Sequence, residues 1–244
     1  MSDINPDAQI WQSRTGLLLG SGNMEKLRSA RVAVVGVGGV GGYAAEMLAR
    51  AGVGHLVLVD SDDISESNIN RQILALHSTI GRRKVDVLRE RLLDINPDLE
   101  IICIDEFLCE ENLPLLLPLD DVDCVVDAID TLSPKIALIQ HCLKNGTALV
   151  SSMGSGAKMD ATAVRIADIS GTRQCPLAHM LRKRLHKLGI YEGFDAVFSA
   201  EPPMRESLVL EEGRNKKSQV GSISYIPAVF GCACAQAAVG HIIK

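Results

Sequence analysis

Gly36, Gly38, Gly39 and Gly41, within Gly36-Val37-Gly38-Gly39-Val40-Gly41-Gly42, are the first residues whose spacing points to chemistry. Glycines let a backbone turn tightly and approach phosphate oxygens. The start of a following helix adds unpaired amides and the positive end of a dipole. An acid at the end of the next apolar run is placed to hold a ribose hydroxyl, and Asp60 and Asp62 both qualify. Taken alone, this pattern is a dinucleotide fingerprint and points to a nicotinamide- or flavin-dependent oxidoreductase.

A second block points elsewhere. Asp62-Asp63-Ile64-Ser65-Glu66-Ser67-Asn68-Ile69-Asn70-Arg71-Gln72 is followed by Gly81-Arg82-Arg83-Lys84. It resembles the adenylation motif of the ubiquitin-activating-enzyme superfamily: an acid, a spacer, S-N-L-N-R-Q, then G-x-x-K. The resemblance makes Asn68 and Gln72 nucleotide-binding residues. It puts two cations, Arg71 and Lys84, beside a triphosphate, where the charge of leaving pyrophosphate needs stabilising. Hydride transfer has no use for that pair. The bland alternative for Arg71 and Lys84 is a solvated helix face.

Asp127-Ala128-Ile129-Asp130-Thr131 closes a third apolar run. An acid at the carboxyl end of a parallel strand points into the ligand crevice of an open α/β sheet. In the superfamily, the aspartate matching Asp130 helps hold magnesium on the phosphates, and magnesium favours one or two carboxylates plus phosphate oxygens. For Asp127 a structural hydrogen-bonding role is expected. Arg14-Thr15-Gly16-Leu17-Leu18-Leu19-Gly20 resembles the superfamily's opening segment. There the matching arginine crosses a dimer interface, so the resemblance implies a homodimer with Arg14 acting in trans.

The resemblance spans residues 8 to 243, and within the superfamily it is strongest to the bacterial tRNA threonylcarbamoyladenosine dehydratase branch. That branch is carried by Ser133-Pro134-Lys135 after the Asp130 motif, Met153-Gly154-Ser155-Gly156 with Asp160, and Pro176-Leu177 leading into Leu181-Arg182-Lys183-Arg184-Leu185. Phe198-Ser199-Ala200-Glu201-Pro202-Pro203 and Gly221-Ser222-Ile223-Ser224 carry it further. The implied reaction is ATP-dependent adenylation of the threonyl carboxylate of tRNA threonylcarbamoyladenosine, then cyclising dehydration. The implied cofactors are ATP and Mg2+. A monovalent cation, K+ or Na+, would be held by main-chain carbonyls and leave no residue signature. The branch also implies a cysteine-desulfurase or sulfur-acceptor partner. The main alternative is adenylation of the Gly-Gly terminus of a ubiquitin-like sulfur-carrier protein. No Cys-x-x-Cys pair is present for the zinc usual among those activators.

These residues need elements to position them. Arg31–Val35, His55–Asp60, Leu99–Ile104, Cys124–Ile129 and Ala148–Ser152 read as buried parallel strands, alternating with helices over 42–51, 82–95 and 134–143. Ala161–Ile169 reads as an antiparallel strand. From Cys175-Pro176 to Gly189 a helix turns Leu177, Met180, Leu181, Leu185 and Leu188 inward and Arg182, Lys183, Arg184 and Lys187 outward. Residues 201–221 read as a long mobile loop. The expected fold class is α/β: a Rossmann-like, mostly parallel sheet with an antiparallel C-terminal extension, the adenylation fold of ubiquitin-activating enzymes. One ATP-binding unit is expected, with a dimer-crossing segment (1–25), a nucleotide core (26–155) and an extension ending in a last helix (156–244).

Composition sets the bounds. The chain has 244 residues, 47% hydrophobic and 23% charged, ordinary for a protein with a proper core. A net charge of -5 and 3% aromatics do not mark a nucleic-acid binder. Any tRNA contact would rest on local basic groups: the row on the 176–187 helix, with Arg214, Lys216 and Lys217. Seven scattered cysteines and a polar start, MSDINPDAQI, suggest reduced thiols in a cytoplasm. Cys232 and Cys234 are expected to be buried thiols. The apolar stretch Ile226–Ile243 contains Pro227, Gln236 and His241, which favours a buried or dimer-interface helix over a membrane span.

Overall fold

Strand β1 (Arg31–Val35) explains the layering. Alternate side chains of a strand point to opposite faces. Val32 and Val34 enter one core, Ala33 and Val35 the other. Strand β2 (His55–Val59) divides in the same way, with Leu56 and Leu58 against Val57 and Val59. Both faces are covered, so the strands read as unbroken apolar runs.

The computed structural model describes residues 10–210 and 218–244. Helix α1 (Ser13–Ser29) precedes β1 and kinks at Gly20, whose φ of 79° lies in the left-handed region. After β1 come α2 (Gly41–Ala51), β2, α3 (Lys84–Ile95), β3 (Glu100–Ile104) and the short α4 (Leu113–Leu116). Then follow β4 (Cys124–Asp127), α5 (Leu132–Asn145), β5 (Ala148–Ser152), β6 (Val164–Asp168), α6 (Pro176–Lys187) and β7 (Asp195–Ser199). The sheet order is β3-β2-β1-β4-β5-β7-β6, parallel except for the β6–β7 pair. Order reverses between β1 and β4, the switch point where open α/β sheets bind ligands.

Helix α7 (Tyr225–Ile243) is long and apolar enough to cross a membrane by length and composition. Here it lies on the sheet, burying Ile226, Phe230, Cys234, Ala235 and Ala238 in the same core as α2. The α2–α7 approach is close: a Cβ on Gly231 would come within 2.5 Å of the Val40 carbonyl oxygen.

Several expectations change. Residues 208–210 (β8, Leu208–Leu210) and 218–220 (β9, Ser218–Val220) pair as an antiparallel ribbon instead of forming loop throughout. The ribbon is tied at its base, where Gly221 N–H donates to Ser207 O and Ala157 N–H to Gly221 O, each at 2.8 Å. Met180 on α6 and Leu188 just past it are exposed rather than inward, because the buried stripe narrows to Ala178, Leu181 and Leu185. Cys232 is exposed, while Cys234 is buried. Arg214, Lys216 and Lys217 lie outside the described residues.

Candidate active site

The glycine loop leaves β1 and enters α2 under tight constraints. Gly36 has φ 83°, and a Cβ there would sit 2.9 Å from the Ala128 carbonyl oxygen. A Cβ on Gly41 would overlap the Gly36 carbonyl oxygen at 1.8 Å. Gly38 and Gly39 line a cleft of about 450 Å³ at the carboxyl ends of the strands. The first turn of α2 has no side-chain cap; Gly42 N–H is taken by Gly38 O at 3.0 Å, and the helix start turns its positive dipole end toward the cleft.

Asp60, just past β2, does two jobs in this geometry. Its Oδ2 accepts from Val37 N–H at 2.8 Å and its Oδ1 from Asp62 N–H at 2.9 Å, which locks the glycine loop. Burial pushes its carboxyl above the ordinary value, against the pull of Lys84 and the two amides. Lys84, at the start of α3, is buried, with Nζ 2.6 Å from Asp62 Oδ2 and 3.8 Å from Asp60 Oδ1. A local backbone pairing puts it there: Ile64 N–H donates to Arg82 O and Lys84 N–H to Asp62 O. Arg83 points the other way, to Asp63 and Asp105.

Arg71 follows a 3-10 turn (Glu66–Asn68) whose entry is closed by Ser65 N–H donating to Asn68 Oδ1 at 3.1 Å. Asn68 therefore shapes the turn as well as lining the cleft. The Arg71 guanidinium rests on neutral acceptors, Ser67 O at 2.9 Å and Asn70 Oδ1 at 2.7 Å. It pairs with no carboxylate among the described residues. Gln72 is buried in the cleft wall, and its Oε1 has no hydrogen-bond partner among the described residues. A buried acceptor without a donor is costly, so this atom fits a bound group that brings one.

Asp130 follows β4, exposed in the cleft and unpaired among the described residues. One free carboxylate opposite two cations and a glycine loop suits magnesium held mainly by phosphate oxygens. Among the described residues no cluster of three or more metal-ligating side chains occurs. Asp127 is fully buried and paired with Lys135 at 2.8 Å, a structural placement.

The structure thus brings together Gly36, Gly38, Gly39, Asp60, Asp62, Asn68, Arg71, Gln72, Lys84 and Asp130. Gly41 stands directly behind the loop. Arg14 is not among them. It is exposed near the start of α1, two residues from Gln12, which packs against Gly52 beyond the carboxyl end of α2. The 11-residue α2 separates Gly52 from the glycine loop by about 16 Å.

Glu106, Phe107 and Leu108 also line the cleft and went unread in the sequence; Ser155, read only within a family-like segment, and Pro227, read only within an apolar stretch, line it too. The first three directly follow β3, so the rule that ligands gather at strand carboxyl ends could have found them. In sequence, Pro227 reads as part of the last helix and not of the cleft. The cysteines are placed apart from this chemistry: burial pushes the Cys124 and Cys234 thiols up to about 12, which leaves them protonated at neutral pH. On α6, Lys183, Arg184 and Lys187 are exposed, but Arg182 turns inward and donates to Thr172 O at 2.9 Å.

Known proteins are similar to this chain in sequence and in fold. The tRNA threonylcarbamoyladenosine dehydratase of Bacillus subtilis (strain 168) is 42% identical over 239 residues, covering 95% of this chain and 92% of its own. The protein of the same name from Escherichia coli (strain K12) is 36% identical over 265 residues, covering 100% of this chain and 96% of its own. The crystal structure of E. coli tRNA N6-threonylcarbamoyladenosine dehydratase, TcdA, in complex with ATP superposes with a TM-score of 0.86 at 34% identity, covering 95% of this chain and 94% of that one. The ThiF family profile matches residues 12–244. With its glycine-lined cleft at the sheet's switch point and matches along nearly its whole length, the chain belongs to the ThiF family.

Proposed function

We propose that this protein is an ATP-dependent tRNA-modifying enzyme that adenylates the threonyl carboxylate of tRNA threonylcarbamoyladenosine and closes it into the cyclic form. The observation that carries the reading is the cleft itself: Arg71, free of any carboxylate among the described residues, Lys84, the glycine loop and Asp130 face one space. A carboxylate oxygen attacks the α-phosphorus of ATP, the bond to the bridging oxygen breaks, and pyrophosphate leaves. The base's own carbamoyl group then attacks the activated carbonyl carbon. A ring closes, AMP leaves with the former carboxylate oxygen, and one proton is released, so the nucleoside loses one water. The second step is intramolecular and needs no protein nucleophile. Magnesium at Asp130 would add positive charge to the phosphates, and a K+ or Na+ ion would be structural.

The complete site is a homodimer's in this reading. Arg14 stands beside Leu17 and Leu18, 75% and 82% exposed, an apolar face suited to a second copy. That copy would bring its Arg14 to this cleft. Lys183, Arg184 and Lys187 offer a basic face to tRNA phosphates. Seven free cysteines are in keeping with a cytoplasmic setting, and exposed Cys232 is the one open to a sulfur-transfer partner.

The test is conversion of ATP to AMP and pyrophosphate with modified tRNA, unmodified tRNA or a Gly-Gly carrier protein. Stimulation by modified tRNA alone, with a nucleoside lighter by one water, is expected. Stimulation by the carrier protein instead would keep adenylation and overturn the substrate.

A further inference from the structure

We propose that the buried Lys135–Asp127 ion pair is a positioning device that sets Asp130 against the phosphates, an inference that rests on the adenylation reading for its functional consequence. Lys135, Asp127 and Ser151 are all fully buried. Lys135 sits in the first turn of α5 and reaches back under the loop that follows β4. Its Nζ lies 2.8 Å from Asp127 Oδ2 and donates to the Ile129 carbonyl oxygen at 2.9 Å. Ser151, on the neighbouring strand β5, donates to the same Oδ2 at 2.6 Å. Asp127 Oδ1 accepts from Ile129 N–H at 3.1 Å. Ala128 N–H is held by Val35 O at 2.8 Å.

Ile129 is therefore held at both its N–H and its C=O by one ion pair. The next residue is Asp130, whose carboxylate has no partner of its own among the described residues. Its place in the cleft is set by its main chain, and the pair sets that main chain. Stability alone does not account for this arrangement. A buried ion pair is often matched or bettered by neutral groups of the same shape, because desolvating two charges offsets their attraction. A lysine there does what an apolar residue cannot: it grips a carbonyl one residue before a phosphate-facing carboxylate.

The double variant D127N/K135M separates the two explanations, since it removes both charges together and leaves neither stranded. K135R restores a cation and serves as the rescue. Hydrogen–deuterium exchange reads the loop directly, and calorimetry of ATP binding with and without Mg2+ reads the consequence. The double variant is expected to melt near the wild-type temperature. Exchange at residues 129–131 should rise about tenfold, and the Mg2+-dependent gain in ATP affinity should fall about tenfold, as a displaced catalytic group commonly costs that much or more. ATP affinity in chelator should hold, and K135R should recover most of the loss. Unchanged exchange at 129–131 would overturn the proposal. So would an equal loss of ATP affinity with and without Mg2+, since that pattern reports general damage. If the wild-type protein binds no ATP, the adenylation reading fails, and the exchange measurement alone decides whether the pair positions the loop.

Discussion

Arg71 and Lys84 are both cations in the cleft, but they wait for phosphate differently. Lys84 is already held by Asp62 at 2.6 Å, so an incoming phosphate has to compete with a carboxylate. Among the described residues Arg71 bonds only to neutral oxygens, which leaves its charge for a ligand. R71A should therefore lower the rate of pyrophosphate release by about 10²–10³, the usual loss for one transition-state donor. Its melting temperature should stay within about 2 °C, since the side chain is half-exposed and serves no core contact. Quenched-flow assays and a thermal melt check both halves, and an unchanged rate would remove Arg71 from the chemistry. Arg71, Gln72 and Lys84 were legible in sequence because the motif that holds them is nearly continuous. Lys135 was not legible as a buried positioning group. A lysine in a helical pattern reads as solvated, and only the folding of β4 and β5 around it takes it out of water.

At the scale of elements, Glu46 joins the two helices whose amino ends border the cleft. It is buried on α2 and pairs with Arg50 at 2.9 Å and with Arg91 of α3 at 2.6 Å. Burial works to raise its carboxyl, but the two guanidinium groups hold it below the ordinary 4.5. A depressed acid contributes stability above its unfolded pKa and loses it as pH falls through the folded value. E46Q should cost about 1–3 kcal/mol at pH 7, discounted because both arginines are partly exposed. The gap from wild type should close below pH 4.5. Urea titrations at neutral and acidic pH measure it, and a gap that widens in acid would contradict the pairing. Most elements were legible because both sheet faces are covered, leaving unbroken apolar strands between helical stripes. Strand β7 (DAVFS) escaped notice because it opens on an aspartate and has only three apolar residues. Helix α1 hid behind its glycines, and Gly20 does break it. The 208–220 ribbon was read as loop because charges and a glycine fill the stretch between its strands.

For the whole molecule, the decisive feature is that Arg14, a site residue only in the proposed reading, stands away from the cleft. Arg14 lies toward the carboxyl end of α2, while the cleft opens at its amino end. A chain acting alone would leave Arg14 without a role in the chemistry. In the proposed homodimer a twofold, isologous contact would carry each copy's Arg14 segment to the other copy's cleft. Two inactive variants can test this together. An R14A copy keeps its own Arg71 and needs its partner's Arg14; an R71A copy supplies that arginine but lacks its own. In a mixed dimer one cleft is whole and the other lacks both groups. Co-refolding equal amounts should therefore restore about a quarter of wild-type activity, since about half the dimers are mixed and one site in each is intact. The unmixed R14A and R71A proteins should each stay near background. If Arg14 acted within its own chain, every site in the mixture would lack one group and mixing would restore nothing. A monomer by sedimentation with full activity would refute the trans arrangement more directly, leaving the exposed Leu17–Leu18 face to be explained by some other contact.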